Sequence, residues 1–546
     1  MECFNQMNNK IVVALLIGLV GFLPLSLLAD GPTTKPGDGT QTLTILHSND
    51  VHGHLLPFSY PTSPAFRRTS IYTGSMQNTG VLGAFDLPQR RDIGGIARRA
   101  TLAGRIRTEL AAQGTPVWLM DAGDFFFYSP FSNEYHGDAD VQAMTQAGYD
   151  FGTLGNHEFE VTLDQLKKLV ADAHYGLLCA NITDNATCKP LTKRYEVRQV
   201  GDVRVGIFGL VTNVTNSNAA REGLTCEDAM TVAPKVVAEL RGEQKVDIVI
   251  LISHIGLDMD KLMASKVPGI DVIVGGHSHD RLTQGEFVPW SGELKSDEVN
   301  GTVIVQTGQW GGELGRLDLL LKKNNAGQWR VNRYRARLLP VTNDIPDDPG
   351  VKALLDKLWA PYSAKYDEVL ATATEDFSER GDDLPQNFLY ADSVRASLGV
   401  DVEFDRTGGV FWPIVQGPVT RASLVDLEQD HNTMTTFHMK GSEIRKYVAR
   451  MTPVASGIRY RTFHGELASI TVGDAALDDA HVYSCAASSS SVGRMNGYEI
   501  TDVQDTKTLW ADAVRDGIRK SKTITPAYDG RRIVVSHPRQ WRGDGY

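Results

Sequence analysis

The run Gly155-Asn156-His157-Glu158-Phe159-Glu160 gathers an amide, an imidazole and two carboxylates directly after Tyr149 to Leu154, a short stretch that reads as a β-strand. Polar residues in that place matter because open α/β sheets bind ligands beyond the carboxyl ends of their strands. The same layout recurs on both sides. Upstream, Asn49-Asp50-Val51-His52 follows Leu43 to His47, and Asp121-Ala122-Gly123-Asp124 follows Val117 to Met120. Downstream, Ser253-His254 closes the apolar run from Asp247 to Ile252, and Gly275-Gly276-His277-Ser278-His279 follows Asp271 to Val274. Asp50 and His52, like His277 and His279, stand at alternate positions, so each pair can face one side of an extended segment. Five strand ends bearing Asp, Asn or His thus converge on one edge of a sheet structure.

Around these motifs, short β-rich runs alternate with helical stretches from Gln41 to about Leu339, which implies a layered α/β domain over 41–340. Ile345-Pro346-Asp347-Asp348-Pro349-Gly350 is a turn and helix-start cluster. Apolar residues at helical spacing from Val351 to Leu370 then predict a linking helix over 345–370. A second, smaller α/β domain is expected over 371–546. Between Leu56 and Arg91 lies a connection rich in Pro, Ser, Thr, Tyr and Gly, too long to be routine.

The chain has 546 residues, 42% hydrophobic and 22% charged, as a packed globular protein should. Lys and Arg total 55 against 66 for Asp and Glu, a formal charge of −11, which offers no electrostatic footprint for a nucleic-acid polymer or an anionic lipid surface. A phosphate-bearing small molecule would need a local cation, and a bound metal supplies one without altering the residue count. At the amino end, Lys10 precedes the apolar run Ile11 to Leu28 and then Ala29-Asp30. Residues 1–29 read as a secretory signal peptide, implying a periplasmic or secreted protein; the competing reading is an uncleaved anchor. Cys179, Cys188, Cys226 and Cys485 would then sit where disulfides are permitted. Cys188 and Cys226 flank one expected strand unit and form the favoured pair, against a set of free buried thiols.

Mixed carboxylate, amide and imidazole donors suit divalent Mn, Zn, Fe or Co, and no Cys-x-x-Cys pair argues for a thiolate site. Seven such groups exceed the needs of one ion. Two ions about 3.5–4 Å apart, sharing one carboxylate, would use them all. Single buried histidines are ordinarily structural, and His47, His54, His174, His431 and His438 are read that way. Phe125-Phe126-Phe127-Tyr128 is read as core and pocket wall rather than a nucleobase platform.

The ordered set Asp-x-His, Gly-Asp, Gly-Asn-His-Glu, His and Gly-His-x-His resembles the calcineurin-like metallophosphoesterases, and its layout resembles their secreted 5′-nucleotidase and UDP-sugar hydrolase branch. Gly94-Gly95-Ile96-Ala97-Arg98, Ala180-Asn181-Ile182 and Gly311-Gly312-Glu313-Leu314-Gly315-Arg316 are similar to the same branch. The resemblance implies a four-layer α/β/β/α metal domain followed by a substrate domain. It also implies that Asp50, His52 and His279 hold one ion, that Asn156, His254 and His277 hold the other, and that Asp124 bridges them. His157 becomes the catalytic histidine at the phosphoryl group, oriented by Glu160, where the family has Asp. In the second domain the resemblance points to Asn387, Arg406, Gly408, Gly409 and Tyr498 for substrate. The family's Gly-Gly-x-Arg and Pro-Phe-x-Asn segments are only partly matched, by Arg406-Thr407-Gly408-Gly409-Val410-Phe411 and by Gln429-Asp430-His431-Asn432.

The expected activity is in-line attack by metal-bound hydroxide on a phosphomonoester or nucleotide. One other reading is a thiosulfohydrolase-like relative. Another, of a different class, is a metal-loaded binding protein without turnover. The segment over 56–91 starts beside His52 and brings Tyr60, Arg67, Arg68 and Tyr72, so it is expected either to cover the mouth of the site or to face away from it.

Overall fold

Along Ile248–His254 the side chains divide strictly: Ile248, Ile250 and Ile252 pack into one cluster, Val249 and Leu251 into another. The same division holds for Val272 and Val274 against Ile273, and for Val303 and Val305 against Ile304. Strands buried on both faces read as continuous apolar runs, and these are flanked on each side by another layer. The computed structural model describes residues 39–61, 89–127, 129–290, 300–378, 380, 382–405, 412–429 and 432–535. The expected leader, Arg67, Arg68, Tyr72, Arg406, Gly408 and Gly409 lie outside the described residues.

Two six-stranded sheets form the middle layers. One runs in the order Trp329–Pro340, Glu313–Lys323, Thr40–Ser48, Val117–Asp121, Phe151–Gly152, Gly176–Leu177. The other runs Glu286–Pro289, Gly301–Val305, Val272–Gly275, Ile248–His254, Val203–Val211, Tyr195–Val200. Leu43, Ile45, Met120 and Phe151 of the first meet Val205, Ile207, Ile250 and Val274 of the second in the space between them. Helices Ile96–Ala111 and Leu163–Asp172 cover the outer face of the first sheet, while Ala229–Gly242 and Leu257–Lys266 cover that of the second. The order of layers is helix, sheet, sheet, helix. Within each sheet the central strands are parallel, so their carboxyl ends emerge together.

Two expectations need correcting. The helix expected over 345–370 is shorter: it spans Pro349–Trp359, capped by Asp348 Oδ1 accepting from the Gly350 and Val351 N–H groups. Pro361 cannot continue a helix, so a separate turn forms at Ser363–Tyr366 and a strand begins at Val369. Val351, Leu355 and Leu358 bury this helix against the first domain's helical layer. Cys188 and Cys226 are both free thiols. Three short strands lie in the order Lys189–Pro190, Ile182–Asp184, Leu224–Cys226, so Cys188, beside the first, is one strand removed from Cys226.

The second half is a mixed α/β unit. A five-stranded sheet built on Val402–Asp405, Thr433–Lys440 and Val482–Ser488 is flanked by helices Pro385–Leu398, Gly441–Met451 and Trp510–Ser521, with smaller sheets at its margins. It meets the first half at several points. Arg91 pairs with Asp376. Trp412 stacks on His54 at 4.1 Å between ring centroids and 5° between planes.

Candidate metal centre

Five of the seven ligand candidates sit in sharp turns beyond their strands. Asp50, His52, Asp124, His277 and His279 all have positive φ, between 48° and 73°. Non-glycine residues in that region cost about 1 kcal/mol or more apiece and persist only where neighbouring contacts hold them, so such a concentration marks a constrained site. The contacts are identifiable. Asn49 Nδ2 donates to Asp50 Oδ2 at 2.7 Å and to the Gly308 carbonyl, while its Oδ1 accepts from the Thr307 N–H and hydroxyl. The His277 N–H donates to Asp50, and the His157 N–H to Asp124 Oδ1 at 2.9 Å. Glu158, fully buried, accepts from the N–H groups of Asp124, Phe125 and Gly155 at 2.9, 3.0 and 2.5 Å, tying the second and third motifs together. Gly155 is required there, since a methyl group would stand 2.2 Å from Asp124 Oδ1.

The side chains assemble into three overlapping groups: Asp50, His52 and His279; His52, Asp124 and His157; Asp124, His254 and His277. His279 Nε2 lies 3.2 Å from Asp50 Oδ1 and 3.1 Å from His52 Nε2. His254 Nδ1 donates to the Ala122 carbonyl at 2.7 Å, which leaves the Nε2 lone pair facing Asp124 Oδ2 at 3.1 Å and Asn156 Oδ1 at 3.2 Å. A lone pair and two oxygen acceptors need a shared positive charge to sit so close, and this nitrogen and oxygen set fits a divalent cation. Without an ion, a proton on His254 Nε2 supplies that positive charge. Burial alone would lower His254, yet the Asp124 carboxylate outweighs it and drives that imidazole up to about 10. Burial would raise Asp124, but its histidine neighbours hold it well below the usual carboxylate range. His52 and His277 are pushed down chiefly by burial, His277 to about 4, so both present neutral lone pairs.

His157 stands beside this cluster with Nε2 3.9 Å from Asp124 Oδ2 and Nδ1 2.8 Å from Glu160 Oε1. Burial opposes its protonation, but Asp124 and the Glu160 hydrogen bond prevail and raise its pKa.

The remaining expected residues fall elsewhere. Burial pushes His47 and His54 down to about 3, and neither belongs to the three groups; His54 is sandwiched between Trp310 and Trp412. Phe125 and Phe126 are core. Tyr60, near the start of the segment expected over 56–91, is buried with Phe58, Ile93 and Trp310. Asn387 is buried on the first turn of Pro385–Leu398, beside Gln386, which donates to the Trp412 carbonyl. Tyr498 packs edge-on against Tyr447 at 5.3 Å. Asn432 accepts from Ser489 and Ser490 at a helix start. Asn49 and Glu158 stand inside the motifs, yet the sequence assigns them no role: Glu158 bonds to backbone N–H groups, and Asn49 reaches Thr307 and Gly308, more than 250 residues away, so neither leaves a mark in local spacing.

Residues 43–281 match the calcineurin-like phosphoesterase family and residues 369–502 the 5′-nucleotidase C-terminal domain family. The chain is 27% identical over 548 residues to a 5′-nucleotidase of Vibrio vulnificus, covering 90% of this chain and 92% of that one, and 25% identical to the protein UshA of Escherichia coli K12, covering 89% and 92%. Among solved structures, a 5′-nucleotidase precursor of Thermus thermophilus superposes with a TM-score of 0.70 at 25% identity, covering 91% of this chain and all of that one. The sulfate thiohydrolase SoxB of Thermus thermophilus shares the fold, with a TM-score of 0.69 at 21% identity. This chain therefore belongs to the calcineurin-like metallophosphoesterases. Within them it falls in the 5′-nucleotidase branch, and it is an enzyme, a metal-dependent phosphoric ester hydrolase of the 5′-nucleotidase type.

Proposed function

We propose that the protein is an exported two-metal phosphomonoesterase acting on a nucleotide or a similar small phosphoester. The observation that carries this reading is the packing of Asp50, His52 and His279 against Asp124, His254 and His277, with His157 alongside. Asn156 completes the second group through its Oδ1, and Asp124 is the carboxylate common to both halves. The ions, of Mn, Zn, Fe or Co type, supply when bound a lowered pKa for attacking water and a clamp on the oxygens of an in-line displacement. His157 donates from Nδ1 to Glu160, so its Nε2 carries a proton only as the imidazolium, the form that Asp124 and Glu160 favour. That proton goes to the leaving oxygen. Export rests on the leader-like sequence of residues 1–29. Among the described residues no helix is long and apolar enough to cross a membrane.

Turnover of p-nitrophenyl phosphate should vanish on chelation and return with Mn²⁺ or Co²⁺, with two ions bound per chain. A panel of nucleotides, UDP-sugars and thiosulfonates then sets the substrate class. A metal-replete protein idle on every phosphoester would overturn the reading. Glu160 also gives a prediction: Glu160→Gln should lower kcat for AMP about tenfold with metal content unchanged, because it loses the charge that favours imidazolium. Glu160→Asp should keep or raise kcat. Loss of a metal in Glu160→Gln would instead make this residue a ligand.

A further inference from the structure

Phe127 has a φ of 123°, a conformation open to glycine and strained for any residue with a side chain. Core packing does not explain it. Phe125 and Phe126 are buried, whereas Phe127 is only half-buried. Its N–H donates to Ser132 Oγ at 2.9 Å, and Ser132 Oγ lies 2.9 Å from Ser129 Oγ. Ser129 in turn closes on the turn after His52, where a methyl group on Gly53 would stand 2.2 Å from its hydroxyl oxygen. The strained turn is thus braced by the same loop that carries His52.

What the strain achieves is a stack. The Phe127 ring lies on the His157 imidazole at 4.5 Å between centroids and 20° between planes. The other tether of His157 is Glu160, whose side chain is 40% exposed and one methylene longer than aspartate. Such a carboxylate fixes which nitrogen is held, yet it can follow the ring as the ring turns. A flat neighbour blocks that turning.

Resting on the role given to His157 above, we propose that Phe127 is a positioning residue that fixes the plane of the His157 imidazole and so aims Nε2 at the leaving oxygen. Phosphoesters whose leaving group needs a proton then depend on Phe127, and those with a good leaving group do not. AMP leaves an alkoxide; p-nitrophenyl phosphate leaves a stable phenolate.

The test compares Phe127→Leu, Phe127→Gly and Phe127→Tyr with His157→Ala, all metal-loaded and checked for unchanged metal content. Phe127→Leu should lower kcat for AMP about tenfold while leaving kcat for p-nitrophenyl phosphate within about twofold. Phe127→Gly should do the same with an equal or higher Tm, because glycine relieves the strain. Phe127→Tyr keeps the ring and should restore the wild-type ratio. A second readout needs neither metal nor turnover. In metal-free protein labelled at histidine ¹³Cε1, the His157 proton, identified by its absence in His157→Ala, should be ring-shifted upfield in the wild type and Phe127→Tyr and should move downfield in Phe127→Leu. An unchanged AMP to p-nitrophenyl phosphate ratio in Phe127→Leu overturns the proposal, as does an unchanged His157 resonance. If His157→Ala itself keeps that ratio, the proton-donating role fails, whereas the resonance still reports whether the stack exists.

Discussion

Asp124→Ala should lower turnover about 10³-fold and strip metal from both halves of the site, more than any other single ligand change. Its carboxylate belongs to two of the three donor groups, facing His52 and His157 on one side and His254 and His277 on the other. Oδ1 also accepts the His157 N–H, so the same deletion loosens the turn that carries His157. Asp50→Asn or His277→Ala, by contrast, should each weaken chiefly one ion. Metal counted by plasma mass spectrometry after dialysis, alongside kcat, separates these cases. An Asp124→Ala protein with two ions and near-normal rate would remove Asp124 from its bridging role.

The second large effect is expected at a fully buried residue outside the three donor groups. Glu158→Ala should destabilise the metal-free protein by about 4 kcal/mol, because three buried N–H groups lose their acceptor and each orphaned donor costs about 1–3 kcal/mol. Glu158→Gln keeps one carbonyl oxygen and should lose roughly half as much. Urea midpoints at constant m-value would show both. Unchanged midpoints would mean that the Asp124 and Gly155 turns are held by something other than this carboxylate.

Much of the centre was legible because its chemistry sits in runs of unusual type at a repeated place. Asp50, His52, Asp124, Asn156, His254, His277 and His279 each follow an apolar strand, and parallel strands deliver their ends to one edge. What could not be read is what holds those residues still. The positive φ of five of them depends on the turns made after the strands end; the Glu158 bonds run to backbone, and the Asn49 bonds to Thr307 and Gly308 cross more than 250 residues. The contact between His54 and Trp412 joins two halves of the chain and follows from no local pattern. Helical periodicity past Trp359 misled for an ordinary reason: apolar spacing continued, but Pro361 ended the helix. The disulfide expectation failed because flanking one strand unit in sequence does not place two cysteines on adjacent strands.

The distance along the chain between partners has a consequence for the order of events during synthesis. His52 and His279 face each other across 227 residues of sequence. At roughly 5–20 residues per second a ribosome needs about 11–45 s to make that interval. For most of it, the early donors exist without their counterparts from the second sheet. A nascent chain therefore cannot retain an ion at full affinity until more than half of it, out to Pro340, has emerged and both sheets have packed. The ions it finally holds are set by the supply where that packing is completed, rather than where translation begins.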